Sequence, residues 1–239
     1  MRIAEVFLSF DGEVNLYGQG TPSIFIRFAG CNGCCVYCDT KQYQPLQSGK
    51  FMRVLDVIDK VVKLEKTYLQ NAAFKKVTIT GGEPFLQFAA LQQLVEMLNE
   101  AQWFITVETN GSFPVFIPDR KVDCFIVDYK LIESGMADQM LSPDHYACRL
   151  TSKDFVKFVI QSKNEFFSAI GIQKILQKAG CQAKFAYSPC WGKFDVSELA
   201  NELSKQGGEI LGNCVINYQL HKLWGDPEKE LPENKIKLI

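Results

Sequence analysis

Cys31, Cys35 and Cys38 lie within Gly30-Cys-Asn-Gly-Cys-Cys-Val-Tyr-Cys-Asp-Thr40, a C-x3-C-x2-C triplet directly after an apolar run. Three thiolates on one tight loop can hold an iron–sulfur cluster while leaving one metal corner without a protein ligand; an open corner is where chemistry happens. The same loop admits other readings. Cys34 adjoins Cys35, so the thiols also divide into two C-x-x-C pairs, Cys31/Cys34 and Cys35/Cys38, as a zinc site would use. Zinc ribbons, however, separate their pairs by roughly 15–20 residues, and adjacent Cys34 and Cys35 are poorly placed to face one tetrahedral ion. A disulfide is a third reading, disfavoured because nothing in the chain marks an oxidising compartment. Cys34 is the spare thiol in the cluster reading.

The surrounding pattern says what must position this loop. The run 23–28 reads as the strand that delivers it. Val54, Leu55, Ile58, Val61 and Val62 recur at helical spacing, so 53–69 is expected to be a helix with one buried face. A buried strand at 76–80 leads into Gly81-Gly82-Glu83-Pro84, and Leu91, Leu94, Val95 and Leu98 mark the next helix. Further strands are expected at 103–107, 123–127, 155–160, 183–187 and 214–219. Helices are expected at 163–179, carrying Phe166, Phe167, Ile170 and Leu176, and near 195–206. Alternating strands and helices imply a mainly parallel α/β sheet with the helices outside. Functional loops then gather at the carboxyl ends of the strands. Those ends carry the cysteine loop, Gly81-Gly82-Glu83, Glu108-Thr109-Asn110, Asp128-Tyr129-Lys130 and Ser188-Pro189. Any one of these passes for turn residues or a helix cap; all of them on one rim point to a site.

Composition limits the rest. A chain of 239 residues with 47% hydrophobic content can bury one substantial core, and a single domain over 1–239 is expected. The formal net charge of -1, with interleaved signs, gives no electrostatic footprint for nucleic acid. The start lacks the apolar stretch of a secretory signal, and no window approaches the roughly 20 apolar residues of a membrane span. Cys124, Cys148, Cys181, Cys190 and Cys214 are scattered singly and read as reduced, packed thiols. The expectation is a cytoplasmic, oxygen-sensitive protein with no membrane or nucleic-acid partner.

The two glycines after the 76–80 strand let backbone approach a ligand closely and offer it N–H and C=O groups. Glu108 and Asn110 suit a ribose or another polar ligand, although Asn110-Gly111 is also an ordinary turn pair. Asp128 and Lys130 have the alternative of a structural ion pair.

The C-x3-C-x2-C loop resembles that of radical S-adenosylmethionine (SAM) enzymes. Gly81-Gly82, one strand later, resembles the motif that contacts the SAM amino group. The resemblance narrows with Glu5-Val-Phe-Leu-Ser-Phe-Asp-Gly-Glu13, with Gly20-Thr-Pro-Ser-Ile-Phe-Ile-Arg-Phe-Ala-Gly-Cys-Asn32 and with Cys38-Asp-Thr40. It continues through Glu108-Thr-Asn-Gly111, Lys157-Phe-Val-Ile160, Ser188-Pro189 and Gln219-Leu-His-Lys-Leu-Trp224. Together these resemble the 7-carboxy-7-deazaguanine synthase family. The resemblance implies an abbreviated, partial TIM-like (β/α) barrel and a [4Fe-4S] cluster on Cys31, Cys35 and Cys38. It also implies SAM that is cleaved reductively and regenerated, Mg2+, a homodimer and a flavodoxin- or ferredoxin-type electron donor. The implied reaction converts 6-carboxy-5,6,7,8-tetrahydropterin to 7-carboxy-7-deazaguanine with loss of ammonia, on the route to queuosine.

By position, the resemblance implies SAM contacts from Tyr37, Gly81, Gly82, Glu83, Glu108, Asn110, Lys130 and Ser188. It implies pterin contacts from Glu13, Arg27, Gly82 and His221: a guanidinium for the carboxylate, a carboxylate for the N–H edge. Thr40 is implied as the Mg2+ ligand through its hydroxyl. Two departures stand out. The family's Gln-Gly-Glu-Gly is here Asp11-Gly12-Glu13-Val14, which puts a charge in place of an amide, and the chain continues past Trp224 as an extension from about 225 to 239. Two alternatives stay open: a glycyl-radical activating enzyme, which shares the cysteine loop but acts on a protein, and a zinc-bearing module without catalysis.

Overall fold

The computed structural model describes residues 1–70, 72 and 75–223, apart from the side chain of His221. His221 as a substrate contact and the extension from about 225 therefore lie outside the described residues. Strands β1 (Arg2–Phe10), β2 (Pro22–Phe28), β3 (Lys50–Phe51), β4 (Lys76–Gly81), β5 (Phe104–Thr109), β6 (Cys124–Asp128), β7 (Phe155–Ile160), β8 (Lys184–Pro189) and β9 (Cys214–Ile216) form one sheet. Helices α1 (Val54–Tyr68), α2 (Phe88–Glu100), α3 (Pro143–Arg149), α4 (Lys163–Lys178), α5 (Val196–Ser204) and α6 (Gly208–Leu211) connect them.

The strand order is β3-β1-β2-β4-β5-β6-β7-β8-β9. Every pairing from β2 to β9 is parallel, and β1 runs antiparallel to both β2 and β3. The sheet does not close on itself, so the architecture is the expected partial barrel.

Side chains on a strand alternate between faces, and the two faces here have opposite chemistry. Ile24, Ile26 and Phe28 of β2, Val77 and Ile79 of β4, and Phe158 and Ile160 of β7 join the main apolar core. Against them pack Val57 and Val61 of α1, Leu91 and Leu94 of α2, Phe166 and Ile170 of α4, and Leu199 of α5. The intervening positions, Arg27, Lys76, Thr78, Thr80, Glu108, Asp128, Lys157 and Ser188, face the concave side. A helix layer thus supplies the hydrophobic stabilisation, leaving the inner face free to be polar. Ser162 starts α4 by accepting from Glu165 N at 3.3 Å, and Asp195 starts α5 by accepting from Ser197 N at 2.7 Å.

Several elements differ from the sequence reading. β1 and β3 are additional strands; β1 is sealed unevenly on both faces and shows no clean alternation. The buried stripe of α1 runs through Val57 and Val61 while Leu55 is 56% exposed, a rotation of the expected face. Phe167 is likewise 50% exposed on α4, and β9 stops at Ile216, after which Asn217, Gln219 and Leu220 bond to Glu13 and Gly12 of the segment after β1. All nine cysteines are free thiols, of which Cys148 is exposed rather than packed. No helix among the described residues is long and apolar enough to cross a membrane.

Candidate active site

A cavity of about 970 Å3 opens at the carboxyl ends of the parallel strands. Cys31, Cys35 and Cys38 line it together with Glu13, Arg27, Tyr37 and Thr40, and so do Gly81, Gly82, Glu108, Asn110 and Lys130. Most of these residues follow or close a parallel strand on the same rim, whereas Glu13 comes from the segment after β1, a strand that ends at the opposite rim.

The cysteine loop sorts its own thiols. Cys34 is exposed, whereas Cys31, Cys35 and Cys38 face inward. Gly33 N donates to Cys31 Sγ at 3.4 Å, Asn110 Nδ2 lies 3.8 Å from the same sulfur, and Cys35 Sγ packs 3.1 Å from Met136 Sδ. Burial pushes the thiols of Cys31 and Cys35 above the ordinary range, so metal loading must displace protons. Among the described residues, no three His, Cys, Asp or Glu side chains converge on a single ion, as tetrahedral zinc would require. A cubane cluster asks for something different: each thiolate takes its own iron, so the sulfurs need only share a rim. Tyr37 Oη, Asp128 Oδ1 and Arg27 Nε are buried polar atoms without hydrogen-bond partners on residues of this cavity, as a pocket built for a polar ligand would have.

The Gly81-Gly82 turn is glycine for a reason internal to the fold. Gly81 has φ +132°, and a Cβ there would strike the backbone of Phe28. A Cβ on Gly82 would strike the carbonyl of Gly30, at the entry to the cysteine loop. Gly82 N donates to Phe28 O at 2.9 Å and Glu83 N to Gly30 O at 2.8 Å. With those N–H groups spent, carbonyl oxygen is what the turn can offer a ligand, which suits an ammonium.

Two of the implied SAM contacts sit behind the wall instead of on it. The Glu83 carboxylate is fully buried and accepts from Phe85 N, Thr109 Oγ1 and Asn110 N at 2.9, 2.9 and 2.7 Å. It ties the end of β4 to the end of β5, and burial raises it to about 7. Ser188 is fully buried and its Oγ accepts from Asn217 Nδ2 at 3.1 Å. Asn110 keeps both of its readings: its Oδ1 accepts from Ser112 N at 3.0 Å within the turn, and it also lines the cavity.

The inner face gathers charge around Lys157, a residue that sequence reasoning saw only as part of a motif. Its Nζ lies 3.2 Å from Glu13 Oε2 and 3.4 Å from Asp128 Oδ2, and Lys130 Nζ lies 2.9 Å from the same Asp128 oxygen. Burial opposes the charge on Lys157, but Glu13, Asp128 and Glu108 more than offset it and hold the ammonium protonated. Lys130 also sits over the Tyr37 ring, 5.3 Å from its centroid. Arg27 is clamped between the rings of Phe7 and Tyr43, at 5.7 and 5.5 Å, with Glu5 Oε2 3.5 Å from its Nε. The alternation of charged and apolar residues along β2 and β7 was the available signal for these groups.

Glu108 belongs to this charged group, accepting from Thr80 Oγ1 at 2.7 Å. Burial first, and Glu13 second, raise its carboxyl to about 7, with Lys157 working in the opposite direction. A carboxyl raised from its unfolded value binds more protons when folded, so its contribution to stability is full at acid pH and is lost as pH rises through about 7. The Glu108→Gln variant is therefore expected to gain stability relative to the parent between about pH 4.5 and 7 and to hold that gain above. Urea unfolding midpoints of both proteins from pH 5 to 8 test this; parallel midpoints at every pH would mean that Glu108 is ionised throughout.

The departure at Asp11 and Val14 has a structural answer. Asp11 is 2% exposed and ion-paired with Lys76, which is 1% exposed. Val14 packs on Cys124, Ile126, Phe155 and Ala186 at the floor of the inner face. Neither lines the cavity, whereas Glu13 between them does. Its carboxylate is held by Asn217 Nδ2 and by Gln219 Nε2 at 3.0 Å. Cys190, expected to be a packed thiol, borders the cavity too.

Comparison with known proteins agrees with this geometry. Residues 16–116 match the 4Fe-4S single cluster domain family. A 7-carboxy-7-deazaguanine synthase of Clostridium acetobutylicum is 30% identical over 95% of this chain and 97% of its own. One from Methanospirillum hungatei is 32% identical over 95% of this chain and 86% of its own. The crystal structure of QueE from Escherichia coli superposes with a TM-score of 0.62 at 21% identity, covering 91% of this chain and 93% of that one. The two relatives favour the synthase reading over the activating-enzyme and zinc-module readings. The chain belongs to the 7-carboxy-7-deazaguanine synthase family.

Proposed function

We propose that this chain, a radical SAM lyase, converts 6-carboxy-5,6,7,8-tetrahydropterin to 7-carboxy-7-deazaguanine with loss of ammonia. The observation that carries the reading is one cavity shared by the three inward thiols and by Glu13, Arg27 and Lys157. Cys31, Cys35 and Cys38 would hold a [4Fe-4S] cluster, which together with SAM supplies hydrogen-atom abstraction. The carbonyls of the Gly81-Gly82 turn would accept from the SAM amino group, with Lys130 beside its carboxylate and Tyr37 and Asn110 beside the nucleoside. Arg27, desolvated between two rings, is suited to grip the pterin carboxylate. Glu13 is suited to accept from the pyrimidine N–H edge, oriented by Asn217, Gln219 and Lys157. Lys157 favours the charged forms of Asp128 and Glu108 at the base of the cavity.

Thr40 is the proposed Mg2+ contact; its hydroxyl lines the cavity, 3.7 Å from Cys38 Sγ. The reading further includes a single catalytic domain, a cytoplasmic homodimer and a flavodoxin- or ferredoxin-type reductant. Anaerobic incubation of the reduced, cluster-loaded protein with SAM, Mg2+ and the carboxy-tetrahydropterin is expected to yield the deazaguanine and one equivalent of ammonia. Cleavage of SAM to 5′-deoxyadenosine without deazaguanine would reject this substrate while leaving the radical chemistry in place.

A further inference from the structure

Below the cavity, the segment between β1 and β2 is pinned by charge. Lys76, the first residue of β4, is turned into the inner face with its ammonium against Asp11 and 2.9 Å from Thr21 Oγ1. Asp11 also accepts from Thr78 Oγ1 at 2.9 Å and from Asn15 Nδ2 at 3.0 Å, and Thr78 is bonded in turn to Ser23 at 2.8 Å. The backbone of Asp11 closes the same segment, donating to Thr21 O and accepting from Gly20 N, both at 2.8 Å. Two residues later Glu13 enters the cavity, and one residue beyond that Val14 N donates to Asn217 Oδ1 at 2.9 Å. Glu13 is thus carried on a bridge of a few residues. One footing is a buried ion pair; the other is Val14 on the apolar floor.

We infer that the Asp11–Lys76 pair is a positioning device for Glu13, so that Lys76 sets recognition of the pyrimidine edge of the substrate without touching it. This rests on the pterin reading above. A buried ion pair is a poor choice for stability alone, since apolar residues of similar volume usually serve as well. It does, however, have one strongly preferred geometry. Removing Lys76 leaves a carboxylate buried without a counter-ion, held only by the neutral donors Thr78 and Asn15, and the short segment relieves this by moving Asp11 toward water, taking Glu13 with it. The pair also explains why an acidic residue is tolerated at position 11: its counter-ion comes from another strand, 65 positions along the chain, by the difference between 76 and 11.

The test compares the parent with Lys76→Met, Asp11→Asn and the double variant Asp11→Asn/Lys76→Gln, each loaded with its cluster. Steady-state KM values are measured for pterin and SAM, and amide hydrogen exchange is followed over residues 11–19. Lys76→Met is expected to raise the pterin KM by about tenfold or more, the scale of a misplaced binding group, while the SAM KM stays within about twofold. Exchange over 11–19 should accelerate in the same protein. Asp11→Asn should shift both readouts in the same direction by less, and it serves if Lys76→Met fails to fold. The double variant, with two neutral amides able to bond each other, should return both toward the parent. A fall in melting temperature with pterin KM and exchange unchanged would overturn the inference, as would equal rises in both KM values. If the parent turns over no pterin, the substrate reading falls, while the exchange data still decide whether the pair holds the segment.

Discussion

Replacing Cys35 by serine is expected to strip the protein of iron and acid-labile sulfide and to lower SAM cleavage at least about a thousandfold, equivalent to roughly 4 kcal/mol of barrier. The neighbouring Cys34→Ser variant should retain the cluster and most of the activity. The geometry separates these two adjacent thiols in the same way as the C-x3-C-x2-C spacing. Cys35 is buried against Met136, and Val36 N is fixed to Ser134 O at 3.1 Å, which locks the rotation of the loop between Cys34 and Cys38. Bringing Cys34 inward would require turning the peptide through one residue and would push Cys35 out. A serine oxygen is a harder and less acidic donor than a thiol, so it does not replace the lost ligand. Iron and sulfide analysis, with the electron paramagnetic resonance signal of the reduced protein, reads the result. Equal loss of iron from both variants would show that the ligand set is not Cys31, Cys35 and Cys38.

Much of this arrangement could be read from the chain because strand, loop and motif coincide. The apolar run 23–28 pointed to β2, and the polar clusters at 81–83, 108–110 and 128–130 all fall on the rim where parallel strands end. What could not be read was which way individual side chains point. Glu83 and Ser188 carry the residue types of ligand contacts, yet each is spent on backbone or amide partners that only the folded chain supplies. Lys157 looked like part of a strand, because its importance lies in three carboxylates drawn from β6, β5 and the segment after β1. Asp11 looked like a defect in a motif until Lys76 was found beside it. Local propensity records neither of these long-range pairings, and β1, whose burial follows no period, escaped for a similar reason.

Lys157→Met should be the most damaging change outside the cysteine loop, and its damage should depend on pH. The ammonium is buried with Glu13 and Asp128 within 3.4 Å and is the positive charge that Glu108 feels most strongly. Methionine fills a similar volume but leaves three carboxylates sharing a poorly solvated space with Lys130 as the remaining nearby counter-charge. Breaking a buried ion pair from one side costs about 3–5 kcal/mol, and catalytic efficiency toward the pterin should fall about a hundredfold as Glu13 loses its orientation. The carboxyls can escape the penalty only by taking protons. The folded-state proton affinity of Glu108, already above the unfolded value, rises further when Lys157 is lost, so the lost stability is recovered below about pH 4.5 and is fully felt above neutrality. Urea unfolding of Lys157→Met and of the parent at pH 5 and pH 8 should therefore show a small gap at the lower pH and a large one at the higher. A gap of equal size at both would mean that Lys157 contributes by packing its methylene stem, and that the carboxylates around it are held by other means.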